Sequence, residues 1–430
     1  MKIGRRRITR AGCIVFGLVA SVTAGAAPGA AQSIFRLGVP RQHTVPDGFM
    51  DYGIQVACAS DGSFVLSWIS QGVPMPQVTA RVFAFDGTPV TSELPVSAPD
   101  EGLEVEAHMA ADAAGNFVVV WPTQNGDGSG DAGVRLRRFT ALGVGSPEAG
   151  ANSHTSGFQG YPRVARRSTG EFVIVWSGVG PGSVTGIWMR RFDAAGTPAG
   201  PEVLVESGAV DFPSIAMRPS TGDYVIAWQT TGASEDIRAR RFDAAGTPVG
   251  AAFDVNSSTA GYQAHPTVAM APGGAFVVLY LGNGQGDADG ALGQLYDASG
   301  IAVGGEFWVN WTVTGFVDWA SATFLPDGSF AVLYDIGFAG VGYRAYVARY
   351  SSIAVRDGFG DFPVTLALAE DRSQFGLSAC ADGTATLRVP FQEGPNLGKD
   401  QEVFTQRISL GLFADGLESG DAVAWSSSVP

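Results

Sequence analysis

A phrase that returns every 52 to 55 residues, an alanine held in one register of each copy, and an excess of turn formers with 59 glycines predict an all-β fold. The architecture expected is a seven-bladed β-propeller of four-stranded antiparallel blades, closed by an N-terminal strand joining the last blade. Composition agrees. Of 430 residues, 45% are hydrophobic, 10% aromatic and 16% charged, which is too apolar for a disordered chain. Three cysteines are too few for a disulfide scaffold.

The N-terminus stands apart. Lys2, Arg5, Arg6, Arg7 and Arg10 precede an uncharged, largely apolar run from Ala11 to Ala27, and Gly29-Ala30-Ala31 follows. This order of basic, apolar and small residues predicts a signal peptide over 1–31. A membrane anchor is the rival, but the run is short and broken by Gly, Ser and Thr. Arg5-Arg6-Arg7-Ile8 lacks the full twin-arginine motif. Removing 1–31 leaves 22 basic against 41 acidic residues, so a formal charge of −14 becomes −19. Such a surface repels nucleic acid and suits an exported, extracellular, periplasmic or surface location. No later run reaches the length of a membrane-spanning segment.

The phrase itself is Gly, any residue, an aromatic, three mostly apolar residues, then a second aromatic. Copies begin at Gly62, Gly115, Gly170, Gly222, Gly274 and Gly328 and end at Trp68, Trp121, Trp176, Trp228, Tyr280 and Tyr334. A seventh, eroded copy runs from Gly383 to Val389, with Pro390 beside the place of the second aromatic. Upstream lie the repeat alanines Ala57, Ala110, Ala165, Ala216, Ala269, Ala322 and Ala379. Downstream comes an Arg-aromatic-turn phrase, best preserved as Arg190-Arg191-Phe192-Asp193-Ala194-Ala195-Gly196-Thr197-Pro198 and from Arg240 to Pro248. A short extended piece such as Phe253-Asp254-Val255-Asn256 ends the unit. Each unit therefore predicts four strands, a to d. In Phe117-Val118-Val119-Val120-Trp121 both faces of strand b are apolar, as expected of a sheet packed between copies of itself. The alanines fit the crowded axis, and the rings fit the wider space between blades. A row of immunoglobulin-like sandwiches needs units of about 100 residues.

Two features predict ring closure. Residues 33–38 resemble a strand d with no strand c before it, and 402–408 resemble a strand c with no strand d after it. Joining them leaves no open edge. Cys58 and Cys380 each follow a repeat alanine, in the first and last units. They are a candidate disulfide clasp. Equivalent positions on rotated blades do not face each other, however, so two small buried side chains is the alternative.

Candidate chemistry is sparse. The loops after strand b carry Asn125, Asp127, Ser129 and Asp131, and Asn283, Asp287 and Asp289, interleaved with Gly. Alternating oxygen side chains of this kind wrap a hard cation such as Ca²⁺, yet neither loop has the distal glutamate of a full calcium motif, and Asp-x-Asp-Gly is also ordinary turn chemistry. His43, His108, His154 and His265 show no metal-ligand spacing. No Gly-x-Ser-x-Gly elbow or phosphate loop occurs. Glu104 and Glu106 read as a solvated strand face rather than an acid–base pair. Arg137, Arg138, Arg190, Arg191, Arg240 and Arg241 recur with the scaffold, which predicts a structural role.

The repeated run Phe-Val-Val-x-Trp, Arg-Phe-Asp-x-x-Gly-x-Pro-Val-Gly and Phe-x-Val-Asn, over residues 50–350, resembles repeats of exported bacterial proteins, some with calcium-loop or adhesin-like modules. The segment from Phe413 to Ser426, within a tail of 412–430, is similar to a short C-terminal motif of other exported bacterial proteins. The resemblance implies secretion or surface handling and assigns no activity. The propeller is expected to span 32–411. The function expected is a non-catalytic, monomeric binding module that takes a protein or glycan at one mouth, where loops are free of packing duties. The alternatives are a propeller enzyme acting on extracellular glycans and a calcium-stabilised structural protein. A cluster of three or more carboxylates, or carboxylates with Arg and an aromatic platform, at one mouth would favour the enzyme, and shallow, repeat-symmetric surfaces would favour binding.

Overall fold

The structure is a computed structural model. It describes residues 35–36, 51–70, 76–98, 107–124, 131–232, 235–259, 261–284, 287–310, 315–338, 342–356, 362–363, 380–381, 386–393 and 402–409. By internal contacts the chain divides into Gln32–Leu412 and a second unit of Met1–Ala31 with Phe413–Pro430. The second unit, which holds the expected signal peptide and tail motif, lies outside the described residues.

Gln32–Leu412 is a β-propeller with four-stranded antiparallel blades. Six sheets are contiguous in sequence, each in the spatial order a-b-c-d. The third is typical, with strands Gln159–Arg166, Phe172–Gly180, Val184–Phe192 and Val203–Ser207. The a strands of successive blades touch one another, which makes them the innermost layer. The repeat alanines sit there, and among the described ones only Ala165 is fully buried, at 8% exposure.

The expectation of a seven-bladed propeller is corrected to six blades. Six blades are regular, and the remaining sheet is a composite of both chain ends, ordered Cys380–Ala381, Thr386–Glu393, Glu402–Ser409, Phe35–Arg36. Phe35 pairs with Ser409 and Arg36 with Ile408. Cys380–Ala381 touches the inner strands of the first and sixth blades. Pro390 stands within the second strand of the composite sheet, opposite Thr405, where it has no N–H for the ladder.

The apolar faces of strand b join different neighbours. Phe117, Val119 and Trp121 pack with Val65, Ile69 and Val82 of the first blade. Val118 and Val120 pack with Phe172, Ile174 and Trp176 of the third. Every residue from Phe117 to Thr123 is buried, and each large apolar side chain so placed contributes roughly 1.5–3 kcal/mol. The two repeat aromatics of strands b and c stack across the ladder, as in Phe117–Phe139 at 4.8 Å and Phe172–Phe192 at 4.9 Å between centroids.

The arginine phrase is structural. Arg137, Arg190 and Arg240 lie 5.2–5.8 Å over the rings of Phe139, Phe192 and Phe242, worth about 0.5–1 kcal/mol each. Their Nε atoms donate to the carbonyls of Ser146, Gly200 and Gly250. The second arginine stitches blades together: Arg138 Nη1 donates to Ala194 O at 3.0 Å, and Arg241 Nη2 to Ala298 O at 2.8 Å. This explains the turn glycine. Gly196 has φ +80°, and a Cβ there would collide with the Arg138 side chain. The closing asparagine caps the ladder. Asn152, Asn256 and Asn310 are buried, and their Oδ1 atoms accept from strand c amides, those of Val134, Ile237 and Ala291.

Candidate functional site

The scaffold leaves one conspicuous irregularity. The ladder between strands a and b slips between Tyr52 and Gln55, Gly160 and Arg163, Asp211 and Ser214, Ala264 and Thr267, and Val317 and Ala320. A bulge therefore stands at the start of the inner strand in five blades, at the mouth where strand a begins and strand b ends. At its tip are Gly53 (φ 66°), Tyr161 (φ 51°), Phe212 (φ 49°) and His265 (φ 50°). Only glycine holds such a left-handed backbone without strain. Each of the other three costs about 1–3 kcal/mol and is held by its surroundings.

The strained residues form an aromatic arc across neighbouring blades. Ring centroids step from Phe158 to Tyr161 (6.0 Å), to Phe212 (4.5 Å), to His265 (4.5 Å) and to Trp319 (6.4 Å). Phe158 is exposed and the other four are half-buried, so the arc both packs and presents ring surface.

Polar residues just beyond the second aromatic of strand b brace the bulges. Ser177 Oγ donates to Asp211 Oδ1 of the next blade. Gln229 Oε1 accepts from the His265 amide at 3.2 Å. Asp335 Oδ1 accepts from the Trp319 amide at 2.8 Å. Asp335 is fully buried, and its Oδ2 has no hydrogen-bond partner. Burial, and secondarily the charge of Asp318, raise its pKa well above the ordinary 3.8, although backbone amides pull it back. Asp318, half-buried at the bulge of the sixth blade, is also raised by burial, with His265 acting against the shift. Burial thus favours the protonated form of both carboxyls, and Asp335 holds the bulge backbone at Trp319.

Sequence reasoning placed none of Tyr161, Phe212, Trp319, Asp318 or Asp335 in a site. Two signals marked three of them: an aromatic-Pro pair four residues before the repeat alanine in Tyr161-Pro162 and Phe212-Pro213, as in His265-Pro266, and the polar residue after the second aromatic at Asp335; neither marks Asp318 or Trp319.

The candidates named from sequence fall elsewhere. Asn125, Asp127 and Ser129 lie outside the described residues. Asp131 Oδ2 accepts from the Gly157 amide at 2.7 Å. Asn283 packs against Gly261. Asp287 and Asp289 belong to strand c of the fifth blade, with Gly284 paired to Asp287, and their side chains are outside the described residues. Among the described residues no group of three or more His, Cys, Asp or Glu could hold a metal ion. Glu104, Glu106 and His43 are also outside the described residues. His108 Nδ1 accepts from the Val164 amide at 3.3 Å, and enclosure, with the charge of Arg163, pushes its pKa down to about 3. The His154 amide donates to Glu202. Cys58 is disulfide-bonded; the side chain of Cys380 lies outside the described residues.

No protein-family model matches the chain, and no curated protein matches it. Solved structures do. A protein of unknown function from Dyadobacter fermentans is 12% identical, with TM-score 0.50, over 87% of this chain and 99% of its own. Polysaccharide lyase Uly1 is 11% identical, with TM-score 0.50, over 85% and 90%. An ulvan lyase bound to a unit of glucuronic acid and sulfated rhamnose is 10% identical, with TM-score 0.52, over 83% and 94%. Likeness at this identity carries the architecture and nothing finer: the chain shares the fold of these structures.

Proposed function

We propose that the protein acts on an extracellular glycan at the bulge-lined mouth of the propeller. One observation carries the reading: the carboxyls Asp318 and Asp335 stand beside His265 at the end of the Tyr161–Phe212–His265–Trp319 arc. Aromatic faces suit the apolar C–H faces of sugar rings. A carboxyl whose burial favours the protonated form suits proton transfer at a glycosidic oxygen. The names of two solved neighbours, both polysaccharide lyases, add weak support. Asp318 is the group at the mouth and takes the proton-transfer role; Asp335 is a positioning residue.

Expected turnover of a polysaccharide panel, read by new chain ends, falls at least about a hundredfold in Asp318→Asn. Absence of both turnover and binding across the panel sinks the proposal. Binding without turnover returns the protein to the non-catalytic module expected from sequence, since the arc alone suffices to hold a sugar chain.

The remaining proposals follow the sequence. Residues 1–31 direct export, the composite sheet closes the ring, and Cys380 is the partner of Cys58. The chain works as a monomer, and its repeats and tail are those of exported bacterial proteins. Among the described residues no helix is long and apolar enough to cross a membrane. Calcium at the 125–131 and 283–289 segments would show as a melting temperature lowered by chelator.

A further inference from the structure

We infer that the glycan taken at this mouth is uncharged, and that its glycosidic bond is broken by hydrolysis; the inference rests on the reading just proposed. Its ground is the charge placed around the arc. At the beginning of strand a of the fourth blade stands Asp211. On the turn between strands b and c of the fourth blade stand Glu235 and Asp236. That turn abuts the fifth blade's inner strand, where the Gln263 amide donates to Glu235 O at 2.9 Å. Arg163 is the cation nearest the bulge of the third blade, and Arg166 at the other end of that strand is paired with Asp112; His265 stands beside Asp318. Arg238 nearby is committed to Glu206 and Asp254, both at 3.1 Å. The chain as a whole carries −14. A uronate or sulfated chain would bring its charges against Asp211, Glu235 and Asp236, while a neutral chain meets rings and the protonated Asp318 carboxyl.

The chemistry follows from the charge. Lyase elimination removes a proton from the carbon next to a uronate carboxyl or its ester, and a sugar without that carboxyl has no such carbon. Hydrolysis needs only water as co-reactant. The C–O bond to the leaving sugar breaks and Asp318 gives its proton to the leaving oxygen. The water oxygen bonds to the anomeric carbon, and a water proton passes through His265 to restore Asp318. This departs from the lyases that share the fold.

The test uses the full chain and matched polysaccharides that differ in charge: polygalacturonate against its methyl ester, dextran sulfate against dextran, and carboxymethyl against hydroxyethyl cellulose, with arabinans and galactans as further neutral probes. Expected is at least about tenfold tighter binding of neutral members at 0.01 M salt, where the Debye length is about 30 Å, with the gap closing near 0.15 M, where it is about 8 Å. Glu235→Lys should narrow the gap at low salt with neutral binding unchanged. New reducing ends without ultraviolet-absorbing unsaturated ends are the expected products. Equal or tighter binding of the anionic members at low salt, or unsaturated products, overturns the inference and leaves the glycan reading standing. No binding to any member removes both.

Discussion

Replacing Asp112 by alanine should destabilise the propeller by about 3–5 kcal/mol. Asp112 and Arg166 form an ion pair of 2.9 Å between the second and third blades, with both side chains only 5% exposed. Asp112 also accepts from the amides of Ala114 and Asn116 at 3.0 Å. Arg166 Nε and Nη1 have no hydrogen-bond partner, so its guanidinium depends on Asp112. Burial already lowers the Arg166 pKa, and the charge of Arg138 acts in the same direction. Without the carboxylate a buried cation stands uncompensated, which places the loss at the upper part of that range. The repeat supplies the control: Met217 and Met270 occupy the place of Arg166 in the next two blades, and Ala271 the place of Asp112 in the fifth. The double variant Asp112→Ala with Arg166→Met should therefore lie within about 1 kcal/mol of wild type. Urea unfolding followed by fluorescence of the buried tryptophans Trp121 and Trp176 measures all three proteins. A cost under about 1 kcal/mol for the single variant, or a double variant as weak as the single, would refute the reasoning.

Three further outcomes are expected. His108 has its pKa depressed from 6.5 to about 3, so the unfolded state binds the extra proton. Stability is full above pH 6.5 and falls as pH drops toward 3; in His108→Gln, which keeps an acceptor for Val164, the acid limb should flatten by roughly 2–4 kcal/mol in pH-dependent unfolding. Phe212→Gly should relieve about 1 kcal/mol of left-handed strain and leave stability equal or higher, while glycan affinity drops; a destabilised variant with unchanged affinity would make the arc mere packing. Deleting residues 33–38 should lower the melting temperature by removing the Phe35–Arg36 strand from the composite sheet, and an unchanged value would refute closure by that strand.

Much of the architecture was legible before any coordinates. The repeat glycines, the paired aromatics and the closing asparagines recur because every blade must solve the same packing problem. The edge-completing likeness of 33–38 and 402–408 pointed to the pairing of Phe35 with Ser409. The candidate site was not legible, because its members come from different blades and follow no single motif. Tyr161, Phe212 and His265 share a position but not a chemistry, and Asp335 becomes unusual only through burial.

Local rules of period, turn and register are written along the chain, so the residues themselves determined four-stranded blades, their order and the structural use of the repeated arginines. Electrostatics and strain depend on what surrounds a group in three dimensions. Only the tertiary structure decided that five inner strands bulge at one mouth, that the rings there form an arc, and that Asp318 and Asp335 share an environment in which burial favours the protonated carboxyl.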